Sequence, residues 1–219
     1  MKRRIFCIAM AILLILTLCG CEGTYTKVQI KPDPNYIGGV MVWENMDHAI
    51  RNTSSAVKAR VRDIEEYEFT DKNNLETKKY CSLIKADISE VIFNNEGKEL
   101  PAEIDFLNFD SSYQRYTNGT RINAGNEYIF LISPVSRNSN SSFATYKVSS
   151  HCIQNVLSRI MYVGGGDNVY YHLCLDDFID GAEKSERLNN TGLEECFVAP
   201  YETVKERLIE LNESVKYVP

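Results

Sequence analysis

The sequence predicts a mainly β protein: a small antiparallel barrel, with one short helix ahead of it and one helix at the end. Three patterns predict this class. Segments of alternating apolar and polar residues follow one another between about Ala56 and Phe109, separated by turn residues, as half-buried strands require. Tyr128-Ile129-Phe130-Leu131-Ile132 is apolar at every position, so this strand needs cover on both faces and marks the centre of the fold. Helical spacing is clear at only two places, around Trp43 and after Pro200.

The first twenty residues stand apart. Lys2, Arg3 and Arg4 precede an apolar run from Ile5 to Leu18, the layout of a secretory signal. That run is shorter than the roughly 20 residues that a spanning helix needs. It ends in Leu18-Cys19-Gly20-Cys21, which resembles the lipobox of bacterial lipoproteins. The resemblance implies cleavage before Cys21, lipidation (palmitate among the acyl groups) of that cysteine, and a membrane anchor on the extracellular side of the cell membrane. Two acyl chains anchor stably, at about 0.8 kcal/mol per buried methylene. The expected organisation is therefore a signal peptide at 1–20, a flexible tether at 21–41 and a globular domain at 42–219. Its barrel core covers about 55–150 and its C-terminal extension about 151–219.

Loss of the three basic signal residues takes the formal charge from −6 to −9. An acidic body lacks the concentrated basic face that nucleic acid demands, and it gains no electrostatic help at an anionic membrane. About 200 mature residues suit one domain with additions. Four further cysteines, Cys81, Cys152, Cys174 and Cys196, allow two disulfides in three connectivities, or buried free thiols. No Cys-x-x-Cys or His-x-x-x-His pair supports a metal site, and no cofactor motif is present.

Taken in order, Glu22 to Tyr36 has little periodicity and reads as the tether. Val42, Trp43, Met46 and Ile50 share one helical side. Val57, Ala59 and Val61 alternate with Lys58, Arg60 and Arg62, so the first strand carries a basic stripe on its wet face. That stripe is a candidate site for an acidic ligand, although Glu65, Glu66 and Glu68 follow closely enough to neutralise it. Asp71–Thr77 reads as a hairpin loop, and Tyr80–Phe93 as a long second strand. Asn94-Asn95-Glu96-Gly97 makes a turn before a third strand over about Ala102–Phe109. Asp110–Asn118 is a polar excursion holding Tyr113 and Tyr116, which with Tyr170 and Tyr171 are candidate ligand-stacking residues.

The Trp43 helix, these strands and Gly125-Asn126-Glu127-Tyr128 together resemble a widespread, largely uncharacterised group of Gram-positive lipoproteins. That group has a small five-stranded barrel, similar to the OB fold and to tissue inhibitors of metalloproteinases. Gly125 and Tyr128 match its Gly-x-x-Tyr-x-x-Phe-Leu strand, whereas Leu131-Ile132 replace the final pair. The resemblance covers about Val42 to Val135 and brings no catalytic residues with it.

Beyond Pro134 less is specified. Ile153 to Ile160 fits a helix or a strand, Gly164-Gly165-Gly166-Asp167 reads as a hairpin or linker, and Val169 to Leu175 alternates as a strand. Pro200 opens a helix with Val204, Leu208 and Leu211 on one side and Glu202 in its first turn. Asp176 to Gly181 matches a calcium loop only in part, since Phe178 and Arg187 stand where ligands belong. His48, His151 and His172 begin no zinc motif, and no Gly-x-Ser-x-Gly elbow occurs.

The expected function is a lipid-anchored, non-enzymatic binding module. Its partners would be the membrane, through lipid on Cys21, and a protein, peptide or glycan ligand. An inhibitor or regulator of an envelope enzyme is the alternative. A hydrolase using His151, His172, Asp176 and Asp177 ranks last.

Overall fold

The computed structural model describes residues 25–27, 45–71, 74–108, 120–135, 149–153, 159–186 and 195–215. Helix α1 spans Met46–Arg51 and buries Met46, Ala49 and Ile50. Asn45 caps it, its Oδ1 accepting the His48 N–H at 2.9 Å. Asn52 ends it by donating its side-chain amide to the His48 carbonyl. Val42 and Trp43, placed on this helix by the sequence, lie outside the described residues.

Strands β2 (Ser55–Asp71) and β3 (Asn74–Asn94) form one long antiparallel ribbon. Both run well past the expected Ala56–Arg62 and Tyr80–Phe93, and most of the expected Asp71–Thr77 loop belongs to β3. Backbone pairing needs no apolar face, so a polar strand pair gives no hydrophobic period to read. A short strand, β1 (Tyr25–Lys27), pairs with Tyr67–Phe69 on the outer part of β2. Part of the expected tether is thus a sheet strand: Tyr25 and Thr26 favour extended backbone, and the edge of β2 offers them hydrogen bonds.

At its inner end the ribbon curls into a barrel. Register shifts around Val57, Ala59 and Val61 bend β2. Strand β4 (Glu103–Asn108) pairs with β3, and β6 (His151–Ile153) lies parallel to β4. Strand β5 (Glu127–Pro134) pairs with β6 and returns to β2, closing five strands in the order β2-β3-β4-β6-β5. The mainly β barrel with a helix near the start and one at the end is therefore the fold of this chain.

Strand β5 sits at the centre, as its composition requires. Tyr128, Phe130 and Ile132 point into the barrel with Val57, Ala59, Ile84, Ile104 and Phe106. Ile129 and Leu131 point the other way, into a second core with α1 and the final helix. That second core is built by the C-terminal extension. Strands β7 (Ile160–Val163), β8 (Asn168–His172), β9 (Glu183–Glu186) and β10 (Glu195–Pro200) continue the sheet from β5 in the order β7-β8-β10-β9. Helix α2 (Tyr201–Ser214) covers it with Tyr201, Val204, Leu208 and Leu211.

The stretch left open between helix and strand begins β7 at Ile160, while residues 154–158 lie outside the described ones. The expected strand through Leu175 stops at His172, and Leu173–Leu175 is a 3-10 turn. Phe178 packs edge-on against Tyr171 at 5.4 Å, and that contact needs the chain to turn back here.

The hairpin between β7 and β8 uses Gly166 at φ +74° and Asp167 at φ +56°. Gly164 has another reason to be glycine: a Cβ there would stand 2.6 Å from Tyr170 Cε2, on a ring that rests against Tyr162. Gly164→Ala should therefore cost about 1–3 kcal/mol as the tyrosine pair is pushed aside. A thermal midpoint equal to that of the parent would show that the rings move freely.

Candidate functional site

The basic stripe on β2 is compensated inside the fold. Lys58 Nζ lies 3.6 Å from Glu127 Oε2 and 4.1 Å from the centre of the Tyr201 ring. Arg62 meets Asp87 at 2.9 Å and Glu103 at 3.0 Å, while Arg60 is exposed. The expected neutralisers do other work: Glu65 pairs with Lys85 at 2.8 Å, and Glu66 accepts from Ser82. The side chain of Glu68 lies outside the described ones. In a sheet the nearest charges sit on the neighbouring strand rather than further along the same one. The stripe is therefore no open cationic face.

Several other candidates separate in space. Tyr113, Tyr116 and Cys21, the expected lipidation residue, lie outside the described residues. Tyr171 is wholly buried rather than part of a surface platform, and Tyr170 rests on Tyr162. His172 is buried beside Cys196 on β10, and burial holds its imidazole below the ordinary range. Asp176 and Asp177 are exposed. Among the described residues no cluster of His, Cys, Asp and Glu is arranged to hold a metal.

The cysteines take one of the two expected states. Cys81, Cys152 and Cys196 are buried free thiols, and the Cys174 side chain lies outside the described ones. Cys81 and Cys152 share a small cluster with Leu83 and Leu107 without being bonded, and Cys196 sits on β10. Burial, helped by Glu66, pushes the Cys81 thiol up to about 12, and burial pushes Cys152 up to about 11. Only the thiolate is nucleophilic. The native protein should thus resist iodoacetamide at both positions near neutral pH, while urea-unfolded protein is alkylated at both. Native labelling at unfolded rates, read by peptide mass, would refute this placement.

One constellation does assemble. Ser54 and Ser55 at the start of β2, Glu96 in the turn after β3, and His151 at the head of β6 meet at one end of the barrel. The Glu96 and His151 side chains are each only 3% exposed. Glu96 Oε1 accepts from Ser54 Oγ at 2.9 Å and Ser55 Oγ at 3.2 Å, and stands 2.9 Å from His151 Nε2. Lys98 Nζ lies 3.6 Å from its other oxygen. Across the ring, His151 Nδ1 stands 2.7 Å from Ser150 Oγ.

The backbone fixes this arrangement. The Ser150 carbonyl accepts from the Val135 N–H at 2.9 Å, and the Ser149 hydroxyl spans the Asp105 and His151 carbonyls. Gly97 at φ +71° lets the turn present Glu96 inward. Burial alone would raise the Glu96 carboxyl, but the Ser54, His151 and Ser55 hydrogen bonds and the imidazole charge hold it below its ordinary value. An ionised carboxylate only accepts, so His151 Nε2 carries a proton. With Nε2 protonated, Nδ1 faces the Ser150 hydroxyl as an acceptor when the ring is neutral and as a donor when it is charged.

Ser150 is exposed. With Ser149, Arg62, Lys85, Glu103 and Asp105 it lines an open cavity of about 520 Å³. Sequence reasoning picked out His151 but paired it with His172, Asp176 and Asp177. Glu96 was visible only as a turn residue, and no local motif links positions 96 and 150. Comparison with protein-family models, with curated proteins and with solved structures finds no match for this chain.

Proposed function

We propose that the chain is a lipid-anchored lipoprotein on the extracellular side of the cell membrane, where its barrel binds a protein, peptide or glycan ligand. Leu18-Cys19-Gly20-Cys21 supports the anchor, and the apolar run before it supports export. The observation that carries the reading is the start of β1 at Tyr25, four residues after Cys21. An extended chain covers at most about 3.6 Å per residue, so at most about 14 Å separates the acylated cysteine from the ribbon. Lipid on Cys21 would hold the β2–β3 ribbon close to the headgroups, rather than letting the domain drift on a long leash.

The test is intact mass of membrane-extracted protein beside a Cys21→Ala variant. The parent should begin at Cys21 with acyl groups attached and stay with the membrane. The variant should lack the acyl mass and should no longer require detergent for extraction. An unacylated parent, or a parent retaining residues 1–20, would remove the anchor from this reading.

A further inference from the structure

We propose that Ser150 is a nucleophile activated by His151, and that the cavity it lines is a site for hydrolysis of carboxylic esters. This goes beyond the binding reading and does not depend on the anchor. Two observations carry it. The Ser150 hydroxyl is exposed at a cavity while lying 2.7 Å from an imidazole nitrogen, within reach for direct proton transfer. The opposite nitrogen of that ring stands 2.9 Å from a carboxylate that is 3% exposed and held by two serine hydroxyls. That carboxylate fixes the tautomer with Nδ1 as the base and stabilises the imidazolium once it forms. Nucleophile, base and orienting acid in hydrogen-bond sequence are the general arrangement for activating a hydroxyl.

The cavity wall beside Ser150 also holds Arg62 and Lys85, each ion-paired to a carboxylate, together with Glu103 and Asp105. Ser150 Oγ bonds to the ester carbonyl carbon, and its proton passes to His151 Nδ1. The bond from that carbon to the alkoxy oxygen then breaks, and the leaving oxygen takes the proton from Nδ1. Water next attacks the acyl-serine, gives a proton to Nδ1, and the serine oxygen leaves and recovers it. The products are one acid and one alcohol. Ser150 and His151 are the catalytic residues, and Glu96 is a positioning residue.

The experiment uses detergent-extracted full-length protein and p-nitrophenyl acetate as the probe. Acid-quenched samples are mapped by peptide mass for an acetyl group, alongside release of nitrophenol. Acetylation should fall on Ser150, and Ser150→Ala, a change at an exposed side chain, should abolish it. Glu96→Gln keeps an acceptor for Nε2–H but loses the charge. It should lower kcat by at least about 100-fold with little change in KM. Acetylation of Ser150 no faster than that of exposed Ser89, which lies beside Glu127 rather than a histidine, would overturn the proposal. So would full activity in Ser150→Ala, or an unchanged kcat in folded Glu96→Gln.

Discussion

Replacing Phe130 with alanine should lower the unfolding free energy by about 3–5 kcal/mol, among the largest losses that one truncation produces. Phe130 is wholly buried in the strand that every layer of the fold shares. Its ring lies 4.7 Å from Phe106 on β4 and 5.4 Å from Tyr128, centre to centre. Inside a closed barrel the walls are tied by backbone hydrogen bonds all round, so they collapse poorly onto the space left behind. Neighbouring Leu131 faces the second core, and its truncation belongs at the lower end of about 2–5 kcal/mol if α1 and α2 settle inward. Urea unfolding of the two variants compares the cores. A Phe130→Ala loss under about 1 kcal/mol would mean that the barrel interior is loosely packed.

Glu96→Ala should cost about 3–5 kcal/mol at neutral pH, because the change removes the carboxylate that the buried His151 ring faces, while Ser54 and Ser55 keep Ile132 and Asn94 as acceptors. The parent should also lose stability in acid, and the sign follows from linkage. Hydrogen bonds from Ser54 and Ser55 and the His151 imidazole hold the folded carboxyl below its ordinary 4.5, although burial opposes them. Its contribution is therefore complete above the unfolded value and disappears as pH falls through the lower, folded one. Glu90, held down chiefly by Lys205 and also by Tyr201, acts in the same direction. In urea titrations the gap between parent and Glu96→Ala should narrow as the medium is acidified through the carboxylate range. A gap that stays constant in acid would show that Glu96 is protonated in the native protein throughout.

Where the argument from sequence succeeded, a repeating physical constraint lay behind it. Strand β5 is apolar on both sides because both of its faces are buried, and α2 follows Pro200 with the face that its spacing predicts. Where it fell short, neighbours distant in sequence made the decision. Asp71–Thr77 looks like a loop, yet most of it pairs in β3 because the facing strand supplies the hydrogen bonds. Lys58 and Arg62 look free because Glu127, Asp87 and Glu103 are far away along the chain.

The sequence by itself determined the class, the helix at each end, the central strand and the expectation of an anchor at Cys21. Each rests on residues adjacent or periodically spaced, which is the range over which a single chain reports its own burial. Tertiary structure alone decided that β5 returns to β2 and closes the barrel, that Cys81, Cys152 and Cys196 are free thiols, and that Glu96 meets His151. The distance from Glu96 to His151 is 55 residues along the chain and 2.9 Å in space. Only strand register spans that difference, because it brings the turn after β3 against the head of β6.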